Sequence, residues 1–232
     1  MIGAGPAPAF DGGSRVMRVL LVAPPGAGKG TQGALIATHF GIPHIATGDL
    51  LRDHVARETE LGRAVRDRLS RGELVPDEVV LDMVAAAIAE AKAGGVGYVL
   101  DGMPRNMTQA RALYEIGRGL QMTANVALHL KADDEELIRR LLARAALEGR
   151  SDDTEPVIRR RLAIYHEVTH PIVDWYASRG ILVSVDAMRP VDRVARQILT
   201  ALESMRSLVE HVPEHARRPI DLTGLGAAFG RN

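Results

Sequence analysis

The sequence predicts an α/β fold, a three-layer sandwich in which helices cover both faces of a parallel β-sheet. Short, continuously apolar runs alternate with longer stretches of helical spacing, which is typical of parallel strands buried on both faces. Hydrophobic residues make up 46% of the 232 residues and charged residues 25%, so the chain has enough apolar material for a buried core. A chain of this length predicts one large domain with appendages.

Five strands and several helices can be placed along the chain. Four apolar runs predict buried strands, and a shorter stretch at 43–46 predicts a fifth. Right-handed βαβ crossovers are expected to connect them through the helices between. The four strands are predicted at 19–23, 98–101, 126–130 and 181–185, and helices at 77–93, 107–118, 133–144 and 190–208.

The two ends differ in composition from the middle of the chain. Residues 1–16 are rich in Gly, Pro and Ala without periodicity, which predicts a flexible N-terminal tail, with Met17 as an alternative start. Residues 210–232 lose the helical spacing and predict a second, irregular tail. The folded domain is therefore expected at 17–209.

The composition excludes several classes of protein. Lys and Arg number 29 and Asp and Glu number 29, so no net charge attracts the chain to nucleic acid or to an anionic membrane. Without cysteine there is no disulfide framework, thiolate zinc site or iron–sulfur cluster. No apolar run is long enough to span a membrane, and the N-terminus has no signal-peptide pattern. The expected location is the cytoplasm, with neither nucleic acid nor membrane as a partner.

The strongest motif is LLVAPPGAGKGTQ at 20–32, between a predicted strand and a predicted helix. Its glycines allow backbone N–H groups to converge on phosphate oxygens, and the helix that follows points its positive end at the same place. Lys29 is expected to bridge the transferring phosphate and Thr31 to face the metal. Only three of the 29 basic residues are lysines, which makes a lysine inside this loop informative. The glycines are Gly26, Gly28 and Gly30.

This loop departs from the usual G-x-x-x-x-G-K-[ST] pattern at two positions. Ala23 replaces the first glycine, and Gly30 lies between the lysine and the hydroxyl residue. A glycine-rich turn that only joins a strand to a helix is the alternative interpretation.

GKGTQ at 28–32 resembles the loop of nucleoside monophosphate kinases, which place a glycine before the threonine. Three further blocks narrow the resemblance to the adenylate kinase family, over about residues 17–208. The blocks are ATGDLLR at 46–52, YVLDGMPRNMTQA at 98–110 and GRSDDTEPVIRRRLAIYHEVTHPIVDWY at 149–176.

The resemblance implies a P-loop kinase fold with a five-stranded parallel sheet and two inserts. One is a helical insert that binds the monophosphate, at about 47–76, and the other is a short lid, at about 145–153. The implied reaction is the reversible, Mg²⁺-dependent conversion of ATP and AMP to two ADP by direct in-line transfer, which maintains the adenine nucleotide pool. The implied protein is a monomer without zinc that binds only these small nucleotides.

The resemblance also assigns site residues, in a reaction that needs positioning and charge neutralisation more than a nucleophile. Seven arginines lie between 139 and 161 against four acidic residues, which gives a local charge of +3 in a neutral chain. The residues implied for ATP are Gly26, Ala27, Gly28, Lys29, Gly30, Thr31, Arg140, Arg144 and Arg189. Those implied for AMP are Thr47, Arg52, Leu74, Val75, Gly102, Arg105, Gln109, Arg150 and Arg161. The catalytic set is Lys29, Arg105, Arg140, Arg144, Arg150 and Arg161.

Three of these assignments have specific chemical reasons. Asp101 ends an apolar strand, the Walker B pattern, and is expected to hold Mg²⁺ through water, with Thr31 as a second ligand. A turn or capping aspartate is the alternative. Thr47 and Gln109 favour adenine as the acceptor base, since a glutamine amide offers adenine both a donor and an acceptor. Leu74 and Val75 are expected to line the base pocket, although such residues are more often plain core.

Two other functions compete with this interpretation. Residues 166–170 read H-E-x-x-H, the zinc metallopeptidase signature. Pro171 follows at once and the usual extension is absent, so two surface histidines are the simpler interpretation. A nucleotide-binding protein without catalysis is the second competitor, because of Ala23.

Overall fold

The computed structural model describes residues 16–70, 75–148, 154–208 and 220–221. Within these ranges the side chains of 67–70, 148, 207–208 and 220–221 are not described. The first fifteen residues of the predicted N-terminal tail, Leu74, Arg150 and most of the predicted lid lie outside the described residues.

A twisted parallel sheet forms the middle layer. Its strand order is β2-β3-β1-β4-β5-β6, and every neighbouring pair is parallel. Strands β1, β3, β4 and β5 are buried along nearly their whole length, as their continuous apolar runs require. They are β1 Arg18–Val22, β2 His44–Ala46, β3 Tyr98–Asp101, β4 Val126–Lys131, β5 Leu182–Asp186 and β6 Ile220–Asp221.

The α/β class and the five predicted strands are confirmed, each within one residue at either end. The sixth strand is a difference from the prediction. Ile220 pairs with Val183 and Asp221 with Ser184, inside the segment that the sequence predicts as irregular. A pairing of two residues is too short to produce an alternating or continuous apolar pattern, so the sequence carries no signal for it.

Helices connect the strands and form the outer layers. α5 begins after Asn106, whose side-chain oxygen accepts a hydrogen bond from Gln109 N at 2.8 Å and so caps the helix. The helices are α1 Lys29–Phe40, α2 Thr47–Ala56, α3 Glu60–Ser70, α4 Asp77–Ala93, α5 Met107–Leu120, α6 Asp134–Glu148, α7 Glu155–Ile164, α8 Pro171–Ala177 and α9 Val191–Leu208. A π-helical turn, Tyr165–Thr169, joins α7 to α8.

Alternate residues of β1 point into two separate cores, one on each face of the sheet. Val19 and Leu21 belong to the first core, whereas Leu20 and Val22 belong to the second. Residues of α1, α6, α7 and α9 complete the first core, and residues of α4, α5 and α8 complete the second. The chain therefore passes from one face of the sheet to the other at the π-helical turn.

A third, small core holds the helices after β2 together. Leu51 of α2, Val65 of α3 and Val75 are its buried members. None of the helices in the described part of the chain is long and apolar enough to cross a membrane.

Candidate active site

Several of the predicted site residues lie at one edge of the sheet, where the strands end. The phosphate loop follows β1, Thr47 follows β2, Asp101 ends β3 and Arg189 follows β5. The carboxyl ends of parallel strands are the usual ligand-binding edge of an open α/β sheet. The fold therefore gathers residues that are far apart in sequence.

The glycines of the phosphate loop are needed for two different reasons. Gly26 and Gly28 have φ angles of +84° and +88°, in the left-handed region that favours glycine. A Cβ on Gly26 would lie 2.9 Å from Leu141 Cγ, whereas Gly28 and Gly30 face open space. α1 begins at Lys29 without an acidic residue in its first turn. Its positive end is therefore free to bind an anion.

Lys29 is half-buried beneath this loop. Its Nζ donates hydrogen bonds to the carbonyls of Ala23 and Pro24, both at 3.0 Å. Burial lowers the pKa of Lys29 from 10.5 to about 8, and attraction to Asp101 opposes this shift. Repulsion from Arg105, Arg161 and Arg144 lowers the pKa further. The site thus brings four cationic side chains and one carboxylate within electrostatic reach, an arrangement suited to a polyanion.

The lowered pKa of Lys29 predicts a pH dependence of stability. Between about pH 8 and pH 10.5 the unfolded chain binds this proton and the folded protein does not, so folding becomes more favourable as pH rises. From about pH 7 to about pH 9.5, the unfolding free energy of the nucleotide-free protein should rise by about 2 kcal/mol more than that of Lys29→Met. Urea unfolding at both pH values measures this. Parallel pH profiles for the two proteins would contradict it.

Ala23, the departure from the loop pattern, causes no backbone strain. Among the residues that the structure describes, positive φ angles at non-glycine positions occur only at Glu58 and Gln121. Ala23 is buried, and its carbonyl accepts a hydrogen bond from Lys29. An ordinary backbone conformation at this position does not require glycine.

Ala23→Gly should therefore change little. We expect kcat/KM for ATP to stay within about fivefold of the wild type, because the glycines and the lysine around the phosphates are unaltered. Steady-state kinetics with ATP varied at saturating AMP test this. A rise of about a hundredfold would show that the natural loop is impaired, and would favour the non-catalytic interpretation.

Asp101 and Thr31 are the predicted metal ligands. The Asp101 carboxylate ends β3, with His44 Nε2 3.9 Å from one of its oxygens, and Thr31 is in the first turn of α1. No group of three or more His, Asp or Glu side chains within the described ranges could hold a metal ion by itself. One carboxylate and one hydroxyl are hard oxygen donors, which fit Mg²⁺ that keeps water and phosphate as its other ligands.

On the acceptor side, Arg105 and Thr47 meet at Gly102. Arg105 Nε donates to the carbonyl of Gly102 at 2.7 Å. Gly102 has a φ angle of +88°, and a Cβ there would overlap Thr47 Oγ1. Arg105 is exposed to solvent. Partial desolvation by the neighbouring protein nevertheless lowers the pKa of Arg105, while attraction to Asp101 raises it and repulsion from Arg161 lowers it further.

Three further arginines of the predicted site have different neighbours. Arg140 Nε pairs with Glu136 at 2.7 Å, and its Nη1 donates to the carbonyl of Ala187. Arg189 lies 3.5 Å from Asp186. Arg52 is exposed and pairs with Asp49 on its own helix, so the structure does not bring it to Lys29 or Asp101.

Val75, predicted to line the base pocket, is buried in the third core. Gln109 is also buried, and both ends of its amide are hydrogen-bonded. Its Oε1 accepts from Arg105 N at 2.6 Å, and its Nε2 donates to Asp77 Oδ1 at 2.6 Å. Asp77 is missing from the sequence prediction, because its partner is 32 positions away.

The π-helical turn adds a second contact that the sequence analysis missed. Thr169 Oγ1 donates to the carbonyl of Arg105 at 2.8 Å. The same turn carries the H-E-x-x-H segment, but its histidines have separate neighbours. His166 Nε2 contacts Asp134 of α6 at 2.9 Å, while the His170 ring packs against His129 of β4. Both histidines are exposed and have separate neighbours, which supports the interpretation as two surface histidines rather than a zinc site.

Together, the glycine-rich loop after β1, the aspartate that ends β3 and the arginines around Lys29 define a P-loop phosphotransferase of the nucleoside monophosphate kinase class. The family model for adenylate kinase matches residues 21–181. The chain belongs to the adenylate kinase family.

Several similar proteins align with this chain over nearly their whole length. The adenylate kinase of Thermobifida fusca is 47% identical over 188 residues, 81% of this chain and 99% of that protein. The adenylate kinase of Kocuria rhizophila is 45% identical, over 80% of this chain and 98% of that protein. The adenylate kinase of Thermus thermophilus is 44% identical, over 79% of this chain and 96% of that protein. About a fifth of this chain lies outside each of these matches.

Proposed function

We propose that this cleft transfers the terminal phosphoryl group of ATP directly to AMP, giving two ADP, as its membership of the adenylate kinase family indicates. The observation that carries the proposal is the set of charges around Lys29. Three arginines, Arg105, Arg144 and Arg161, and a single carboxylate, Asp101, act electrostatically on Lys29. Two bound nucleotides would supply the missing negative charge, and the cations would stabilise the charge that develops during transfer.

The donor side is built on the phosphate loop. The backbone N–H groups at 26–31 and the N-terminus of α1 would bind the β- and γ-phosphates of ATP. Lys29 Nζ would exchange the two carbonyls for phosphate oxygens. Arg140 and Arg144, on α6, would contact the donor nucleotide, with Arg189 beside them.

The acceptor side lies between β2, β3 and α5. Arg52 and Arg105 would hold the phosphate of AMP, because a guanidinium suits bidentate contact with phosphate. Thr47 and Gln109 would read the adenine, beside Gly102. Leu74 and Val75 would line the base pocket, and Arg150 and Arg161 would contact the transferring group.

Asp101, together with Thr31, would hold Mg²⁺ through water. When bound, the ion supplies further neutralisation of the phosphate charge. No residue of the described site needs to act as a nucleophile, so we expect a sequential mechanism without a phosphoenzyme. One chain supplies both sides of the cleft, and we expect a monomer that acts on free nucleotides in the cytoplasm.

A matrix of nucleoside triphosphates and monophosphates, with and without Mg²⁺, tests the proposed function. We expect ATP with AMP and Mg²⁺ to give the highest rate of diphosphate formation, with intersecting initial-rate patterns. Ping-pong kinetics or a labelled phosphoprotein would contradict direct transfer. Nucleotide binding without turnover in any combination would identify a non-catalytic protein.

A further inference from the structure

We infer that Asp77 determines base specificity by fixing the orientation of the Gln109 amide, so that the acceptor site favours adenine over a 6-oxopurine. Asp77 is the first residue of α4, and Gln109 is in the first turn of α5. The inference rests on the proposed role of Gln109 as the reader of the acceptor base.

Two hydrogen bonds connect Asp77 to the start of α5, and two more lie within residues 105–109. Asp77 Oδ1 accepts from Gln109 Nε2 at 2.6 Å, and Asp77 Oδ2 accepts from Asn106 Nδ2 at 3.4 Å. Gln109 Oε1 accepts from Arg105 N at 2.6 Å, and Gln109 N donates to Asn106 Oδ1 at 2.8 Å. Gln109 is only 8% exposed, so water does not readily replace these partners.

The chemistry of the two partners allows one orientation of the amide. A backbone N–H can only donate, and an ionised carboxylate can only accept. If the Gln109 amide turned over, its NH₂ would face the N–H of Arg105 and its oxygen would face the carboxylate of Asp77. Both contacts would then be repulsive in a largely buried position, where unsatisfied polar groups are costly.

This orientation complements adenine. One N–H of Gln109 and one lone pair of its oxygen remain after the two protein contacts. Adenine offers a donor, N6–H, beside an acceptor, N1, which match an amide oxygen and an amide N–H. Hypoxanthine reverses the pair, with an acceptor at O6 and a donor at N1. It would require the orientation that Asp77 and the Arg105 N–H oppose.

Two groups fix the orientation of the Gln109 amide: the backbone N–H of Arg105 and the side chain of Asp77. Substitution can remove only the Asp77 side chain. Its position in the first turn of a 17-residue helix favours a carboxylate, because the helix dipole is positive there. Without the carboxylate, only the Arg105 N–H would oppose the reversed amide. Discrimination between the two bases should then fall.

The test compares AMP with IMP as acceptors for wild type, Asp77→Asn and Asp77→Ser at saturating ATP. The serine hydroxyl can accept a hydrogen bond from the Gln109 NH₂ or donate one to the Gln109 oxygen, so it tolerates both orientations of the amide. Serine is also favourable at the start of a helix, so this variant should fold. We expect the AMP/IMP ratio of kcat/KM to fall about tenfold in both variants, mainly through a lower KM for IMP. KM for ATP should change less than about twofold. Glu78→Gln, an exposed carboxylate on the same turn, is the matched control and should leave the ratio unchanged.

Gln109→Ala separates this inference from the proposed function. If Gln109→Ala leaves the AMP/IMP ratio unchanged, Gln109 does not read the base and the proposed acceptor site is wrong. If Gln109→Ala lowers the ratio and the Asp77 variants do not, the inference about Asp77 alone is overturned. A lower melting temperature with equal losses for AMP and IMP would also overturn it, because that is the signature of a structural role.

Discussion

Lys29→Ala is expected to lower kcat for ADP formation by at least about 10²-fold, because the proposed site puts this ammonium where charge concentrates in the transition state. Its Nζ is held by the carbonyls of Ala23 and Pro24 at the base of the loop, so the charge is already in position before ATP binds. A coupled assay of ADP formation with saturating ATP and AMP measures the effect.

The same substitution should not unfold the protein. Burial of Lys29 lowers its pKa, which means that its charge is a cost to the folded state at neutral pH. Removing that charge should leave the melting temperature equal or higher. Lys92→Ala, an exposed lysine on α4, is the control and should retain wild-type activity. A folded Lys29→Ala enzyme within about threefold of the wild type would refute the role of Lys29.

Arg161→Ala is expected to have a comparable effect, with a loss of at least about 10²-fold in kcat. Arg161 is partly buried on α7, and its charge acts on both Lys29 and Arg105. In the proposed site it would therefore act on both the donor and the acceptor side. Initial-rate kinetics with each nucleotide varied in turn measure the loss.

The neighbouring arginine provides the matched control. Arg160 carries the same charge on the same helix but is exposed, and Arg160→Ala should stay within about threefold of the wild type. Arg161→Ala should also raise the pKa of Lys29, because it removes one source of repulsion. The rise in stability with pH would then begin at a higher pH. Equal losses in the two arginine variants would show that only the overall charge matters.

The sequence alone predicts those parts of the fold and of the candidate site that depend on residues close together in the chain. The continuous apolar runs predict the four longer strands, β1, β3, β4 and β5, because both faces of those strands are buried. The phosphate loop is also local, since three glycines and Lys29 lie within five residues between a strand and a helix.

Contacts between distant segments could not be predicted in this way. Asp77 and Gln109 are 32 positions apart, and Thr169 and Arg105 are 64 positions apart. An aspartate at the start of a helix has an adequate explanation as a partner of the helix dipole, so nothing in the sequence points to a second role. The resemblance identified Gln109 without the groups that orient it. The π-helical turn has no sequence signal of its own, and the H-E-x-x-H segment that overlaps it carries two surface histidines.

The π-helical turn also fixes the length of the chain between two anchored helices. Ile158 and Leu162 hold α7 in one core, and Ile172 and Tyr176 hold α8 in the other. An α-helix turns by about 100° per residue, so the loss of one residue from this turn would rotate α7 by about that angle relative to α8. Arg161 would then face away from Lys29, although every residue that touches substrate remained in the sequence. Deletion of any one residue from Tyr165–Thr169 should therefore inactivate the protein. This should hold even if each side chain of the turn can be substituted without loss of activity.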